Sequence, residues 1–371
     1  MTADVQMLDS DVEALLRATV RDFLRSQCDP ADVRLAYDGD RSLTAKLWEV
    51  LASDLGLAGL LVPEERGGAG ATAREAAVVM EELGRFAAPV PFLESAIIAT
   101  TVLLAGNSDL VTDLAVGRRT AALLVPFTTT SATALPPIRQ DGSRLSGRVV
   151  AVVGALDADI FLGPVAASGG LEIYAVGSDA VQVEPVSSLD MTRPIADVTL
   201  DDAESQLVVT ASAGREALDK ALLLGAAMLA ADSAGICAWS LETTVGYLKE
   251  RRQFGRIVGG FQAVKHRLAD LYVDVESSGA AARYAAGVWA INDADIPVAT
   301  AVAASFCSDV AVHAAEEALQ LHGGIGMTWE HAVHLYLKRA KSNQIGLGRP
   351  DHHRDVLAQA IDLTIKGEIS S

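Results

Sequence analysis

Cysteine is scarce in this sequence, and its placement excludes two kinds of site. Cys28, Cys237 and Cys307 are odd in number, far apart, and share no metal or redox spacing. The expectation is three reduced, mostly buried thiols, with no metal site built from them. Basic residues are also in deficit: 30 Lys and Arg against 48 Asp and Glu leave a formal net charge of −18 and a pI near 4.7. Nucleic acid and anionic membranes would repel such a surface, so neither is expected as a partner. Long hydrophobic runs are missing as well. The longest, Ala221 to Ala231, has 11 residues, where a spanning helix needs about 20. The start, MTADVQMLDSDVEALL, carries acids and lacks the basic and apolar regions of a secretory leader. A cytoplasmic protein is expected.

What is present is an ordinary soluble composition, 50% hydrophobic and 21% charged over 371 residues, enough for two or three domains. Residues from about 9 to 118 read as successive helices. Asp9, Ser10 and Asp11 are ready N-caps, and Val12, Leu15, Leu16, Val20, Phe23 and Leu24 recur at helical spacing. LTAKLWEVLASDLG suggests a second helix. The glycines of EERGGAGAT mark a loop after Pro63, and Thr72 can cap the helix that follows. Composition changes near Arg118. AALLVPF, RVVAVVG, DIFLGPV, LEIYAVG and DVTLDDA are short Val- and Leu-rich runs between turn residues, which suits a small β-sandwich or barrel. From Ala213 the helical pattern resumes, with Arg215 to Leu248 as one long helix. Phe261, Val264, Leu268, Leu271, Tyr272 and Val275 lie on one face of the next. The expected fold is mainly α with a β middle domain: residues 1–118 helical, 119–212 β, and 213–371 a helical bundle.

Two stretches stand out for chemistry. YLKERRQFGRIVGGFQAVKHRLADL, from Tyr247 to Leu271, joins two helices through a segment rich in Arg and Gly. Guanidiniums and exposed amides meet there, which suits a phosphate. QLHGGIGMTWEH, from Gln320 to His331, breaks a helix with glycines. Both read as places where a helical bundle opens to a charged cofactor.

These motifs, with GLLVPEERGGAG and VVMEELGR before them and HLYLKRAKS after, resemble the acyl-CoA dehydrogenases along nearly the whole chain. The resemblance implies an N-terminal helical domain, a small β domain and a four-helix bundle. It also implies FAD between the β domain and the bundle, with a neighbouring subunit completing the site. Carried over by position, Arg251 would pair with the FAD diphosphate, Gln253 and Phe254 would line the same segment, and Phe261 and Gln262 would sit nearby. Gln320, Gly323 and Gly324 would lie against its ADP part.

The family's reaction, α,β-desaturation of an acyl-CoA thioester, needs a glutamate base, raised toward neutrality by exclusion of water. At the two positions where members carry it, this chain has Leu347 and Gly225, so no catalytic residue is assigned. The segment resembling TEPxxGSD, which binds flavin and CoA, is replaced by PFTTTSATALPPIRQDG.

The resemblance therefore implies one subunit of a heterotetramer, resembling actinobacterial enzymes acting on bulky steroid-type acyl-CoAs. A homologous partner would supply the base, and a flavoprotein would accept the electrons. Alternatives are a self-sufficient homotetramer with a relocated base, Glu330 or Asp351, or different flavin chemistry on the same fold. Glu330 otherwise reads as a first-turn acid and Asp351 as a solvated cap. His352 and His353 read as surface residues, His322 as a helix-end histidine, and Trp329 as packing.

Overall fold

The computed structural model describes residues 5–106 and 108–360. The N-terminal region contains α1 (Asp11–Gln27), α2 (Pro30–Leu35), α3 (Ser42–Glu49), α4 (Ala73–Arg85), α5 (Thr100–Leu104) and α6 (Leu110–Ala115). Two starts carry capping boxes, Ser10 with Glu13 on α1 and Thr72 with Glu75 on α4, each satisfying otherwise orphaned amides. Between α4 and α5, Phe92–Ala99 forms a buried π-helical segment.

The stripe expected on α1 is only partly used. Val20 and Leu24 are buried, whereas Val12 and Leu15 are exposed. Charge fixes the rotation of this helix. Arg21 lies 2.6 Å from the fully buried Glu82 of α4, and Glu13 lies 2.7 Å from Arg74. Apolar periodicity carries no record of such pairs.

The middle region holds β1 (Ala121–Leu123), β2 (Arg139–Asp141), β3 (Arg144–Val153), β4 (Ile160–Ala167), β5 (Gly170–Gly177), β6 (Val181–Val186) and β7 (Ile195–Val209). The order is β1-β4-β5-β7-β3-β2, with β6 also on β7. The long β7 pairs with β3 and β6 through its first half and with β5 through its second. It thereby belongs to both halves of a folded sheet, whose interior holds Val149, Phe161, Tyr174, Val198 and Leu200. The sequence runs anticipated β1, β3, β4, β5 and β7 but not β2 or β6. The β6 strand contains Pro185 and pairs only with β7, an edge position that tolerates proline.

The C-terminal region runs α7 (Ala211–Glu250), a short hairpin of β8 (Arg252–Gln253) and β9 (Arg256–Ile257), α8 (Gln262–Ala290), α9 (Ile296–His322), α10 (Val333–Ile345) and α11 (Pro350–Ala360). The α7 helix is the axis, packing on α4, α8 and α9. Gly84 and Gly235 let α4 and α7 touch backbone to backbone, since a Cβ on either would strike the carbonyl of Asp232 or Glu81. Both α7 and α9 are long and apolar enough to cross a membrane. Their most apolar windows, however, are 89% and 72% buried inside the fold, which makes them core helices. The three cysteines are free and buried.

One polar knot ties the regions together. Asp232 of α7 is fully buried and accepts from Arg339 at 2.6 and 3.0 Å, from Arg193 at 3.2 Å and from Asn343 at 2.7 Å. Arg339 also donates to the Ala88 carbonyl and to Thr192, and Arg193 reaches Glu94 at 3.3 Å. Burial alone would raise the Asp232 carboxyl, but Arg339 and Arg193 beside it hold it down at about 2.

Candidate functional site

The ends of α7 and α9 meet, which brings the two conspicuous stretches side by side. Tyr247 stacks on His322 with ring centroids 4.6 Å apart. One turn beyond Tyr247, Arg251 caps α7 and donates its amide to the Tyr247 carbonyl at 2.9 Å. The chain then turns through Phe254 and Gly255, both at positive φ (52° and 74°), as a two-residue type I′ hairpin requires. Phe254 at this tip is 90% exposed. Behind it the Arg256 guanidinium lies 3.7 Å from the centre of the Phe261 ring, a cation–π contact that braces the hairpin against the start of α8. Gln253 and Gln262 are exposed alongside.

On the other side α9 ends at Gly323, whose φ of 63° and ψ of −137° suit only glycine. Nothing stands within 4 Å of where a Cβ on Gly323 or Gly324 would lie. Gln320 is exposed just before them. Arg251 and Arg252 are exposed, and among the described residues no carboxylate pairs with either. A free guanidinium beside bare, approachable backbone suits a diphosphate. All eight residues singled out from the sequence therefore lie on these two adjoining, outward-facing segments.

The interior is the opposite. Leu347 is buried with φ 52°, its amide donating to the Phe127 carbonyl at 2.8 Å. The Phe127 ring packs directly on Gly346. A Cβ on Gly225 would lie 2.8 Å from Leu347 Cδ1 and 3.1 Å from Ile98, so Gly225 and Leu347 occupy one spot in space. Leu347 lines a cavity of about 230 Å³ together with Thr130, Leu222, Ala226 and His352, while the void it shares with Ile98 and Phe127 is about 10 Å³, room for a single water at most.

One carboxyl on that void escaped the sequence reading. Glu94, one turn before Ile98, is buried, and its Oε2 has no partner. Burial pushes its pKa up, against the pull of Arg193. The signal available was its position as the lone charge in the apolar run FLESAIIATTVLLAG. The two bases weighed from sequence lie elsewhere. Asp351 is exposed and 3.4 Å from Arg349, and the exposed Glu330 is lowered by hydrogen bonds from its own amide and Thr328.

His353 corrects the expectation of a surface residue: it is buried beneath Gly348. The reason is that α11 turns it inward against Leu347 and the Thr130 loop while leaving Asp351 outside. Burial, then the neighbouring His352, push its pKa down to about 4. The unfolded chain, with an ordinary histidine near 6.5, therefore binds the extra proton between pH 6.5 and 4. Stability is full above that window and falls as pH drops through it, by about 3 kcal/mol for this residue. His334, lowered to about 4 by burial and Lys338, acts in the same direction. Urea unfolding at pH 7.5, 5.5 and 4.5 checks this. The slope should flatten in His353→Gln; an unchanged slope would refute the assignment.

Comparison with known proteins agrees along the chain. The family model described as acyl-CoA dehydrogenase, N-terminal domain, matches residues 10–112, and that described as acyl-CoA dehydrogenase, C-terminal domain, matches residues 212–361. Acyl-CoA dehydrogenase IpdE2 of Mycobacterium tuberculosis is 35% identical over 95% of this chain and 96% of its own length. IpdE2 of Mycolicibacterium smegmatis is 32% identical over 92% and 96%. Among solved structures, a variant of the Tcur3481-Tcur3483 steroid ACAD superposes with a TM-score of 0.83 at 26% identity, covering 95% of this chain and 98% of that one.

Proposed function

The chain belongs to the acyl-CoA dehydrogenase family, and from that premise we propose that it is one subunit of a FAD-dependent acyl-CoA dehydrogenase, completing the FAD site of a homologous partner that carries the catalytic base. The observation that carries this is the contrast between the two places a flavin could touch. The outward segments offer Arg251, without an ion-pair partner among the described residues, and open glycine backbone at Gly323 and Gly324, while in the interior Gly225 and Leu347 pack against each other and carry no carboxylate.

Bound at the outward segments, FAD would supply the acceptor for the hydride leaving the β carbon of an acyl-CoA. This chain's residues would hold it. Arg251 offsets the diphosphate charge, Gln253, Gln262 and Gln320 offer amides, Gly323 and Gly324 allow close backbone approach, and Phe254 and Phe261 shield the contact from water. An acid–base role for this chain has no support at Leu347 or Gly225, neither of which carries a proton to move. The structure named for a paired steroid ACAD supports a heteromer, an α2β2 assembly in this proposal, and a bulky acyl group as substrate. An electron-transferring flavoprotein would reoxidise it in the cytoplasm.

The test is purification with and without the product of a neighbouring homologous gene, followed by flavin analysis and dye reduction with several acyl-CoAs. Flavin and turnover should appear only in the pair. A chain that is yellow alone and reduces dye at ordinary rates would refute the proposal. Glu94 is the observation favouring the second reading, a self-sufficient homotetramer, and in that event Glu94→Gln should abolish the activity of the lone chain.

A further inference from the structure

The two outward segments follow the C-terminal ends of two different long helices, α7 and α9, and nothing in their own sequences holds them in register. What joins them is a column of three rings. Tyr247 stacks on His322 with centroids 4.6 Å apart, and His331 is tilted against His322 at 4.4 Å. Each ring belongs to a different part of the site. Tyr247 sits one turn before Arg251, His322 is the last residue before Gly323, and His331 closes the glycine segment and accepts the Val333 amide through Nδ1 at 3.3 Å. The turn also folds back on this column, for a Cβ on Gly326 would lie 3.0 Å from the His322 Cβ.

The protonation state of His322 is set by geometry. Its Nδ1 lies 2.7 Å from the Ala318 carbonyl and so carries the proton, while its Nε2 is buried and has no partner among the described residues. A second proton on Nε2 would have nothing to donate to, at a cost of about 1–3 kcal/mol for a neutral group and more for a charged one. The groups facing the column are Tyr247 from α7, His331 from the glycine segment and, beyond it, His334 and Lys338 from α10 and Arg34 from the N-terminal region. None is a carboxylate. Glu330, the nearest acid in sequence, is exposed and interacts with Thr328 and Arg34. Burial lowers His322, against the pull of the Ala318 carbonyl, and burial then His322 lower His331, so at neutral pH the column is uncharged.

We infer that His322 is a positioning residue, which with Tyr247 and His331 locks the Arg251 hairpin and the Gly323–Met327 turn into one unit, and that the lock holds only while its rings are neutral. This rests on the proposal that the two segments face a cofactor, but the lock itself is a property of this chain and is measured on it alone. Acid opens it: a cation on His322 has no acceptor, and a second on His331 is repelled at close range.

Hydrogen exchange of the full-length chain, corrected for intrinsic rate, tests it between pH 7.5 and 5.5. Amides of Gly323–Met327 should lose at least about tenfold in protection, a change of about 1.4 kcal/mol. His322→Asn keeps a donor for the Ala318 carbonyl and cannot be protonated, so it should retain the turn and lose the pH dependence. His322→Ala should loosen the turn at every pH, and His331→Gln should move the opening to lower pH. Wild-type protection that ignores pH, or a pH dependence unchanged in His322→Asn, would overturn the inference. Flavin content of the assembled pair is the separate readout. If the turn opens as described and flavin stays bound, the lock stands and its tie to the cofactor fails.

Discussion

Asp232→Ala is expected to destabilise the chain by about 3–5 kcal/mol, the scale for breaking a buried ion pair by removing one partner. Arg339 and Arg193 are both buried; Arg339 pairs with this carboxylate, and Arg193 divides its charge between it and Glu94. Without it two guanidiniums remain in the core, and the Asn343 amide loses its shorter acceptor, keeping Ser233 Oγ at 3.2 Å. A loss of that size is a large share of the 5–15 kcal/mol that holds a typical domain, so poor soluble yield is the first sign to look for. Denaturant unfolding measures it, and a value within about 1 kcal/mol of wild type would contradict the structure. The pH dependence has a definite sign. The folded pKa of about 2 lies below the unfolded 3.8, so this stabilisation is complete above 3.8 and is lost as pH falls toward 2. Acid unfolding should therefore have two parts, the histidine loss below pH 6.5 and this one at lower pH.

Arg251→Ala is expected to leave the chain as stable as before and to cut FAD affinity of the assembled pair by about 10- to 100-fold, the scale of a charge-assisted hydrogen-bonding partner lost. The side chain is exposed and among the described residues has no carboxylate partner, so folding does not depend on it. Arg251→Lys should recover only part of the affinity, because an ammonium keeps the charge without the planar fork. Flavin retained through gel filtration, together with a titration of apo-pair by FAD, separates these outcomes. Unchanged flavin content in Arg251→Ala would refute a FAD contact at this segment.

The regularities of the fold were legible where one residue type decides the local geometry. Thr72, the Val-rich runs of β3 to β5 and the apolar body of α7 all announce themselves. Edge strands and the rotation of α1 did not, because the first depends on a neighbour's free edge and the second on Arg21 and Glu82, 61 positions apart. The outward segments were legible because glycine and arginine do their work by local conformation and charge. Glu94 and His353 were not, since their character comes from burial by parts of the chain far away in sequence. The contact between Gly225 and Leu347 belongs to the same class.

That contact also constrains how this chain could change. The two positions at which the sequence resemblance leads one to expect a base are a single volume, filled from one side by Leu347 and left open from the other by Gly225. Gly225→Glu would drive its side chain into Leu347. Leu347→Glu would place a carboxylate against Ile98 and Glu94, with Arg193 already shared by Glu94, Asp232 and Asn343. The step at Gly225 is opposed by Leu347, and the step at Leu347 by the buried Glu94. At position 225 the paired change Gly225→Glu with Leu347→Ala makes room for the carboxylate, and the stability of that pair should exceed the sum of its halves.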